Sequence, residues 1–172
     1  MRHCGKCNYC CIWIDLDDIV PGAGNGKPCP HVTENGCGRY ADRPVICQAW
    51  ECLWLMMGDD LLADDERPDR IHAVFFFPAS KYGIRDSRVI CLSEDYIHEQ
   101  VSRPPTDQQK IAISKVVAAG FPCVLEPVAP ASVKTMQLMI GRARLPSRNI
   151  IARLRSYDKR NAAVQKRSGS ET

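Results

Sequence analysis

The pattern of apolar and polar positions predicts a small β-sheet in the second half of the chain. Residues 71–77 form an almost continuous apolar run of strand length, which is typical of a strand buried on both faces. A turn at residues 82–87 leads to a second apolar stretch at 88–92, and we expect the two stretches to pair as a hairpin with a long loop. Residues 122–125 predict a third strand, whereas residues 136–140 fit either a fourth strand or the start of a helix.

Apolar residues with helical spacing flank and separate these strands. A helix is expected over residues 44–58, with a proline early and a glycine as its stop. A second helix is expected over residues 106–120, because residues 106–109 form a capping box. A third covers residues 147–159, and the chain should fray beyond Ala163. Helices and strands together predict an α+β fold.

Composition fits one domain with a smaller lobe attached. The 172 residues can bury a real core, and the shares of 45% hydrophobic and 25% charged residues are typical of a soluble globular protein. We predict a cysteine-cluster metal-binding region at 1–58, a small α+β part of the same domain at 59–145, and a basic C-terminal helix and tail at 146–172. The acidic stretch 59–70 is expected to be a solvent-facing connector, with extended backbone before Pro68.

Cysteines are concentrated in the first third of the chain. Eight of the ten lie within 52 residues, a density that small buried hydrophobic residues do not explain. The repeated C-x-x-C spacing lets the backbone turn around one ion and present two sulfurs to it. The candidate metal ligands are Cys4, Cys7, Cys10, Cys11, Cys29, Cys37, Cys47 and Cys52. Cys91 and Cys123 lie in predicted strands and are expected to be small core residues.

The cellular compartment decides between metal binding and disulfides. No apolar run reaches the ~18 residues of a membrane-spanning helix, and the chain passes from Met1 into the cysteine block without an apolar leader segment. We therefore expect a cytoplasmic protein, in which thiols stay reduced and a dense cysteine pattern favours metal ligation. In an oxidising compartment the same pattern would favour a disulfide framework.

Two pairs of cysteines indicate two neighbouring metal centres. Cys47 and Cys52 would lie ~140° apart around a regular helix, so either Cys47 precedes the helix or the two serve different centres. The side chains of adjacent Cys10 and Cys11 point apart, which also suits two centres. Residues 1–11 hold too many ligands for a regular element and are expected to form a knuckle-like loop.

The surroundings of the cysteines give further predictions. Residues 12–16 end in an apolar–polar alternation and could form a short strand. Backbone N–H groups, together with Arg2 and Lys6, are expected to compensate the negative charge of the thiolates. Glycines flank Cys37 and permit the positive φ angles of a turn around a metal. His31 is a further candidate ligand through a ring nitrogen.

Zinc and iron are both open as the metal. Two closed four-cysteine zinc sites would use all eight thiolates and contribute folding energy. The bacterial ferredoxin run C-x-x-C-x-x-C-x-x-x-C-P is matched by Cys4, Cys7 and Cys10, but Ile14 stands where its fourth cysteine would be. The nearest Cys-Pro is Cys29-Pro30, so the match to an iron–sulfur motif is partial. A thioredoxin-like dithiol is disfavoured because no strand precedes the C-x-x-C run.

The order of the cysteines and their neighbours is specific. Cys4-x-x-Cys7-x-x-Cys10-Cys11 is followed by two middle cysteines, by Tyr40-x-x-Arg43-Pro44-x-x-Cys47 and by Cys52. Over residues 1–55 the chain thereby resembles the YkgJ-type cysteine cluster family, a zinc- or iron-chelating CxxCxxCC domain. The resemblance implies a chelating domain. Flagellin lysine methylases carry a similar cluster, which leaves an iron–sulfur-dependent, protein-modifying enzyme open, although the chain is short and has no glycine-rich nucleotide-binding fingerprint.

Three functions follow as hypotheses. The first is a cytoplasmic protein that binds zinc or iron and acts in metal handling or in interaction with a protein partner. The second is an iron–sulfur redox protein or enzyme. The third rests on charge: residues 141–172 hold nine Lys or Arg against two acids, a local charge of +7 in a chain of net charge +3, so this tail could contact nucleic acid. The sequence identifies no catalytic residue, no substrate and no membrane partner.

Overall fold

A four-stranded mixed sheet lies at the centre of the chain in a computed structural model. The structure describes residues 2–14, 16–17, 20–77, 89–93, 105–127, 138–140 and 148–168. In chain order its elements are α1 (Cys10–Trp13), β1 (Val32–Thr33), β2 (Gly36–Cys37), α2 (Val45–Ala49), α3 (Leu53–Met57), 3₁₀ turns at Gly58–Asp60 and Asp64–Glu66, α4 (Pro68–Ile71), β3 (Ala73–Phe76), β4 (Val89–Ser93), α5 (Asp107–Ala118), β5 (Cys123–Pro127), β6 (Leu138–Ile140) and α6 (Arg148–Ser168).

The sheet has the strand order β3-β4-β5-β6. β3 and β4 are antiparallel, with Phe75 opposite Cys91, which confirms the predicted hairpin. β4 and β5 are parallel, with Val89 opposite Cys123, and the chain crosses between them through α5. β6 is antiparallel to β5, so the segment at 136–140, for which a strand and a helix were both open, contains a strand. The predicted turn at 82–87 lies outside the described residues.

The hydrophobic core lies where α3, α4 and α5 meet the sheet. Its largest fully buried side chains include Phe75, Phe121, Leu53, Met57 and Leu62. The prediction that Cys91 and Cys123 are small core residues is confirmed, because they are 1% and 0% exposed. The α+β fold class is confirmed as well.

The capping box at the start of α5 is confirmed and ties this helix to the sheet. Thr106 accepts from the Gln109 N–H at 3.2 Å, and the Gln109 side chain accepts from the Thr106 N–H at 3.0 Å. The buried amide of Gln109 also donates to the Ile71 carbonyl at 2.9 Å and to the Ser93 hydroxyl at 3.1 Å. Gln109, a capping residue that the local sequence predicts, therefore also fixes α5 to α4 and β4.

Three local predictions were wrong. The helix expected over 44–58 is broken at Trp50, whose extended backbone (φ −88°, ψ 129°) separates α2 from α3. Trp13 lies in α1 and not in a strand, because its N–H bonds to the Tyr9 carbonyl at 3.0 Å. The segment 59–70 is not a simple solvent-facing connector, since Leu62 and Glu66 are buried.

The C-terminal helix is longer than the sequence predicts. α6 continues to Ser168 instead of fraying beyond Ala163, and it packs on α2 and α3. Arg153 forms an ion pair with Asp60, and Arg160 pairs with Glu51 at 2.9 Å. These contacts hold the first half of α6 against the body of the protein. Within the described residues, no helix is both long and apolar enough to cross a membrane.

Candidate metal centre

The eight N-terminal cysteines stand on short elements that backbone hydrogen bonds connect. The N–H of Cys7 bonds to the Cys4 carbonyl at 2.9 Å and closes the first C-x-x-C turn. The N–H of Cys29 bonds to the Cys11 carbonyl, also at 2.9 Å, and brings the middle of the cysteine block back to its start. Cysteines distant in sequence are therefore held near one another without a long regular element.

Gly36 allows the β1–β2 hairpin to lie directly against the first C-x-x-C turn. Its φ is +99°, and a Cβ at this position would come within 2.1 Å of the Gly5 carbonyl oxygen. Only glycine fits both the backbone angle and the close approach. The predicted positive φ beside Cys37 is thus confirmed for Gly36, whereas Gly38 does not share it.

Four thiols beside the hydrophobic core are near enough to affect one another's pKa. Cys10 shares a hydrogen bond with Cys52, and this bond, burial and the charges of Cys52, Cys7 and Cys4 raise the pKa of Cys10 well above its ordinary value. Burial, followed by the charge of Cys52, raises the pKa of Cys4. Cys52 is 5% exposed and lies in the core, with Cys7 and Cys10 packed against it. These four residues, Cys4, Cys7, Cys10 and Cys52, are named the core group.

The other four thiols form a second neighbourhood. Burial raises the pKa of Cys11 to about 12, and the charges of Cys37, Cys29 and Cys47 add to this effect. Burial and the charges of Cys29 and Cys37 likewise raise the pKa of Cys47. In the part of the chain that the structure describes, none of the four belongs to the main core cluster, although Cys29 is itself buried, at 9% exposure. These residues, Cys11, Cys29, Cys37 and Cys47, are named the surface group.

Two pairs of cysteines that are close in sequence are split between the groups. Adjacent Cys10 and Cys11 belong to different groups, because α1 turns their side chains in different directions. Cys47 and Cys52 also belong to different groups, and the break between α2 and α3 separates them. The charge of Cys4 acts on Cys11, so the groups are neighbours.

Backbone N–H groups converge on two sulfurs of the core group. The N–H groups of Tyr9 and Asp69 bond to Cys7, although burial prevails and raises the pKa of Cys7 to about 12. The pKa of Cys52 is lowered, first by its hydrogen bond with Cys10 and then by N–H groups in the first turn of α3. Such donors stabilise thiolate charge and are typical surroundings of metal-bound sulfur.

The Tyr-x-x-Arg-Pro motif compensates charge at both groups. The guanidinium of Arg43 lies 4.1 Å from the centre of the Tyr40 ring. Burial raises the pKa of Cys4, whereas the Arg43 charge and a hydrogen bond from Tyr40 oppose this rise. The Arg43 charge also opposes the rise in the pKa of Cys47. The charge of Arg43 therefore favours the thiolate form of one cysteine in each group.

Asp69 is a carboxylate next to the core group. Arg67 holds it with two hydrogen bonds, of 2.5 and 2.8 Å. Burial alone would raise the pKa of Asp69, but the bonds and charge of Arg67 and a hydrogen bond from Cys7 lower it overall. The Asp69 charge in turn raises the pKa of Cys7, after burial. This carboxylate therefore opposes ionisation of Cys7 while the Asp69 N–H supports it.

The prediction for Arg2 was wrong. Its guanidinium lies 4.5 Å from the centre of the Trp54 ring and donates to the Leu62 carbonyl at 2.7 Å, and it pairs with Asp59 and Asp64. Arg2 thus fastens the N-terminus to the body, and Arg43 supplies the charge that Arg2 was expected to supply. Lys6 is exposed, and its proposed role stays a prediction.

The donors fit a metal in chemistry, but they are not closed around one. All ten cysteines are free thiols. Among the described residues, no three His, Cys, Asp or Glu side chains are arranged so that they could hold an ion. Each group nevertheless provides four soft sulfur donors, the number and type that a closed tetrahedral site uses. Binding by the eight cysteines and by His31 therefore stays a prediction.

Sequence reasoning missed the residues that support the core group from a distance. Tyr9 is buried, and its hydroxyl donates to the His72 carbonyl at 2.7 Å. Asp69 reaches Cys7 across 62 positions of sequence, which no local pattern predicts. The one available signal was Arg67-Pro68-Asp69, where a proline at the first helical position marks a helix start.

Comparison of this chain with known proteins gave no relative on which its function could be based. Neither models of protein families, nor curated proteins, nor solved structures match it. The two groups of cysteines are therefore the feature of this chain that indicates a function.

Proposed function

We propose that this protein binds two metal ions, one at the core group and one at the surface group, with zinc or iron as the metal. The observation that carries the proposal is the proximity of the eight N-terminal thiols: Cys10 is hydrogen-bonded to Cys52, and the Cys29 N–H bonds to the Cys11 carbonyl. Four thiolates complete the coordination of a structural zinc ion. The resemblance to YkgJ-type chelating domains agrees with this proposal.

Each group provides some compensation for the charge of its thiolates. The core group has backbone N–H donors on Cys7 and Cys52, and Arg43 acts on Cys4 and Cys47. Without compensation, four thiolates around a divalent ion would carry excess negative charge in a partly buried site. These surroundings are typical of thiolates that bind a metal, and they are not needed by cysteines that merely fill space in a core.

The proposal requires each group to contract when it binds. In metal-free protein burial raises the pKa of Cys7 and Cys11 to about 12, so these thiols stay protonated and nothing draws four sulfurs together until a cation takes the place of the protons. Binding must also remove the thiol protons, so affinity should rise with pH. A closed four-cysteine site leaves no open position for a substrate, so the ion would contribute folding energy.

A metal-handling or interaction role follows from such closed sites. We propose a cytoplasmic location, because binding by eight thiolates needs a compartment that keeps thiols reduced. A protein partner would then either receive the metal ion or bind to the folded, metal-bound cysteine region.

An iron–sulfur protein is the second candidate. The observation that favours it is the set of N–H groups directed at Cys7 and Cys52, since hydrogen bonds to sulfur tune the potential of such clusters. The zinc and iron–sulfur forms need the same cysteines and differ in colour.

Anaerobic purification with elemental analysis and an absorption spectrum tests the proposal. We expect two zinc ions per chain in colourless protein, or iron with sulfide in brown protein that dithionite bleaches. Fewer than one metal atom per chain, together with eight readily titrated thiols, would contradict metal binding.

A further inference from the structure

One face of α6 carries a row of cations on the side away from the body of the protein. Arg148, Arg155 and Lys159 are exposed. At ~100° and ~1.5 Å per residue, these positions lie within ~40° of one another around the helix and along ~17 Å of its axis. A further step of seven residues from Lys159 leads to another lysine, at position 166. The residues Arg148, Arg155 and Lys159 are named the basic row.

The basic row lies roughly opposite the face by which α6 packs on the protein. Ile150 is buried on that face, and Leu154 and Tyr157 pack against the core. Arg153 and Arg160 flank the packed face and form the two ion pairs that fasten α6 to the body. In the described part of the chain, no carboxylate pairs with a cation of the basic row. These charges are therefore available to a partner.

The distribution of charge directs a polyanion towards α6. Residues 141–172 carry a local charge of +7 in a chain of net charge +3, so the other 140 residues carry −4. The body therefore repels a polyanion that the basic row attracts, and a field of this kind orients two molecules before they touch.

The surroundings of the basic row favour phosphate groups over a lipid surface or an acidic protein. A helix that lies in a membrane surface needs large apolar side chains, and the energy of most protein interfaces comes from buried aromatic anchors. Among the residues of α6 whose side chains are described, no large apolar one is exposed. Small residues, Ala152, Ala162 and Ala163, are exposed instead. Contacts with phosphates need cations alone, and small neighbours let the helix approach closely.

A duplex suits this helix better than a single strand does. Proteins that bind single strands stack the bases on accessible aromatic rings, whereas the one aromatic residue of α6, Tyr157, packs against the core. Duplex DNA presents about one charge per 1.7 Å of its axis on a stiff surface, which a straight row of cations can follow. Its major groove also admits an α-helix, whereas that of duplex RNA is too narrow.

We propose that the basic row of α6 binds the phosphate backbone of duplex DNA. Contacts with phosphates carry no sequence information, so the binding is independent of base sequence. The inference goes beyond the proposed function, because it uses a different surface of the molecule and does not depend on the metal centres.

Fluorescence anisotropy of a labelled DNA duplex of mixed sequence, titrated with the full chain, tests this proposal. Three phosphate contacts predict a slope of about −2.7 for the logarithm of the affinity against that of the salt concentration. Binding should therefore weaken about 40-fold between 50 and 200 mM salt. Arg155→Gln should make the slope less negative by about one. Combining it with Arg148→Gln and Lys159→Gln should remove most of the slope and weaken binding at least about tenfold at low salt.

A matched triple variant separates the basic row from net charge. Lys27→Gln, Arg39→Gln and Lys110→Gln remove the same charge from exposed positions on other elements, and the slope should stay near that of the unmodified chain. Far-UV circular dichroism checks that both triple variants are folded. Equal weakening by the two would show attraction by net charge alone and overturn the assignment to the basic row.

The choice of ligand is tested with the same chain and other polyanions. Anionic phospholipid vesicles, polyglutamate, single-stranded DNA and duplex RNA should each bind more weakly than duplex DNA does. Tighter binding of any one of them, or no binding of the DNA duplex at low salt, would overturn the proposal.

Discussion

The core group and the surface group contain the same four donors and are supported differently. The core group borders the hydrophobic core and receives N–H groups from the first turns of α3 and α4. The surface group comes from α1, a loop, the short hairpin and α2, and its Cys47 lies beside the exposed Val45 and Ile46. Identical ligands can therefore differ in permanence, because the fold around them sets how easily each group opens.

Serine substitution of one cysteine from each group should have the largest effect. Cys52→Ser is expected to remove an ion and unfold much of the body, with a loss of more than about 5 kcal/mol, because structural thiolate sites contribute about 10 kcal/mol or more. Cys47→Ser should remove one ion and loosen only the cysteine region. Metal content and urea unfolding followed by far-UV circular dichroism measure both effects. Equal global destabilisation by the two variants would contradict the distinction.

Two glycine substitutions separate steric contact from backbone strain. Gly36→Ala should cost more than about 2 kcal/mol, because its Cβ would lie 2.1 Å from the Gly5 carbonyl oxygen in addition to the unfavourable φ of +99°. Gly22→Ala is the matched control: its φ is +79°, but nothing lies within 4 Å of the new Cβ. It should cost only about 1 kcal/mol. Thermal unfolding of both variants checks this order, and equal losses would show that the close approach is unimportant.

Metal-free protein should lose stability at alkaline pH. Cys7 and Cys11 have a pKa of about 12 in the fold, against an ordinary value of 9.0. Because the folded pKa is the higher one, their contribution is complete below pH 9 and is lost as the pH rises towards 12. Urea unfolding between pH 7 and 11 should show this decline, and Cys11→Ser should reduce it. In metal-loaded protein the slope should be positive at acid pH, since the ligands must lose protons.

Two charge substitutions should move metal release in opposite directions. Arg43→Gln removes a cation that holds down the pKa of Cys4 and Cys47, so both groups should release metal at a higher pH. Asp69→Asn removes a charge that raises the pKa of Cys7, so the core group alone should retain its ion to a lower pH. Acid titration with a chromophoric chelator measures the release. A shift in the same direction for both variants would be inconsistent with their opposite charges.

The smallest expected effect concerns the link between the core group and the sheet. Tyr9→Phe removes the hydroxyl that donates to the His72 carbonyl at 2.7 Å. The loss should be about 1 kcal/mol, which is typical of one partly buried hydrogen bond. Metal content should stay unchanged. Denaturant unfolding detects the loss, and an unchanged free energy of unfolding would contradict the role of this bond.

Local patterns predicted much of the fold. The Thr106–Gln109 capping box, the buried strand around Phe75 and the placement of Cys91 depend on neighbours in sequence, and all are confirmed. The division of the cysteines into two centres stays a prediction: the ~140° angle expected between Cys47 and Cys52 assumed one regular helix, and the break at Trp50 removes that premise.

Long-range contacts explain what the sequence could not reveal. Arg2 lies beside thiols in sequence, yet it binds Trp54 and Leu62 more than fifty residues away. Asp69 was counted with an acidic connector, although its N–H and carboxylate both act on Cys7. Such roles depend on which elements the core brings together, so only the folded chain shows them.

Cadmium-113 NMR of cadmium-substituted protein tests the central claim most directly, because thiolates bind this soft ion as they bind zinc. Two groups of four sulfurs predict two signals of equal intensity, both in the region of all-sulfur coordination, and Cys47→Ser should remove only one of them. A single signal from the unmodified chain, or signals in the region of nitrogen and oxygen ligands, would contradict the division into two four-cysteine sites.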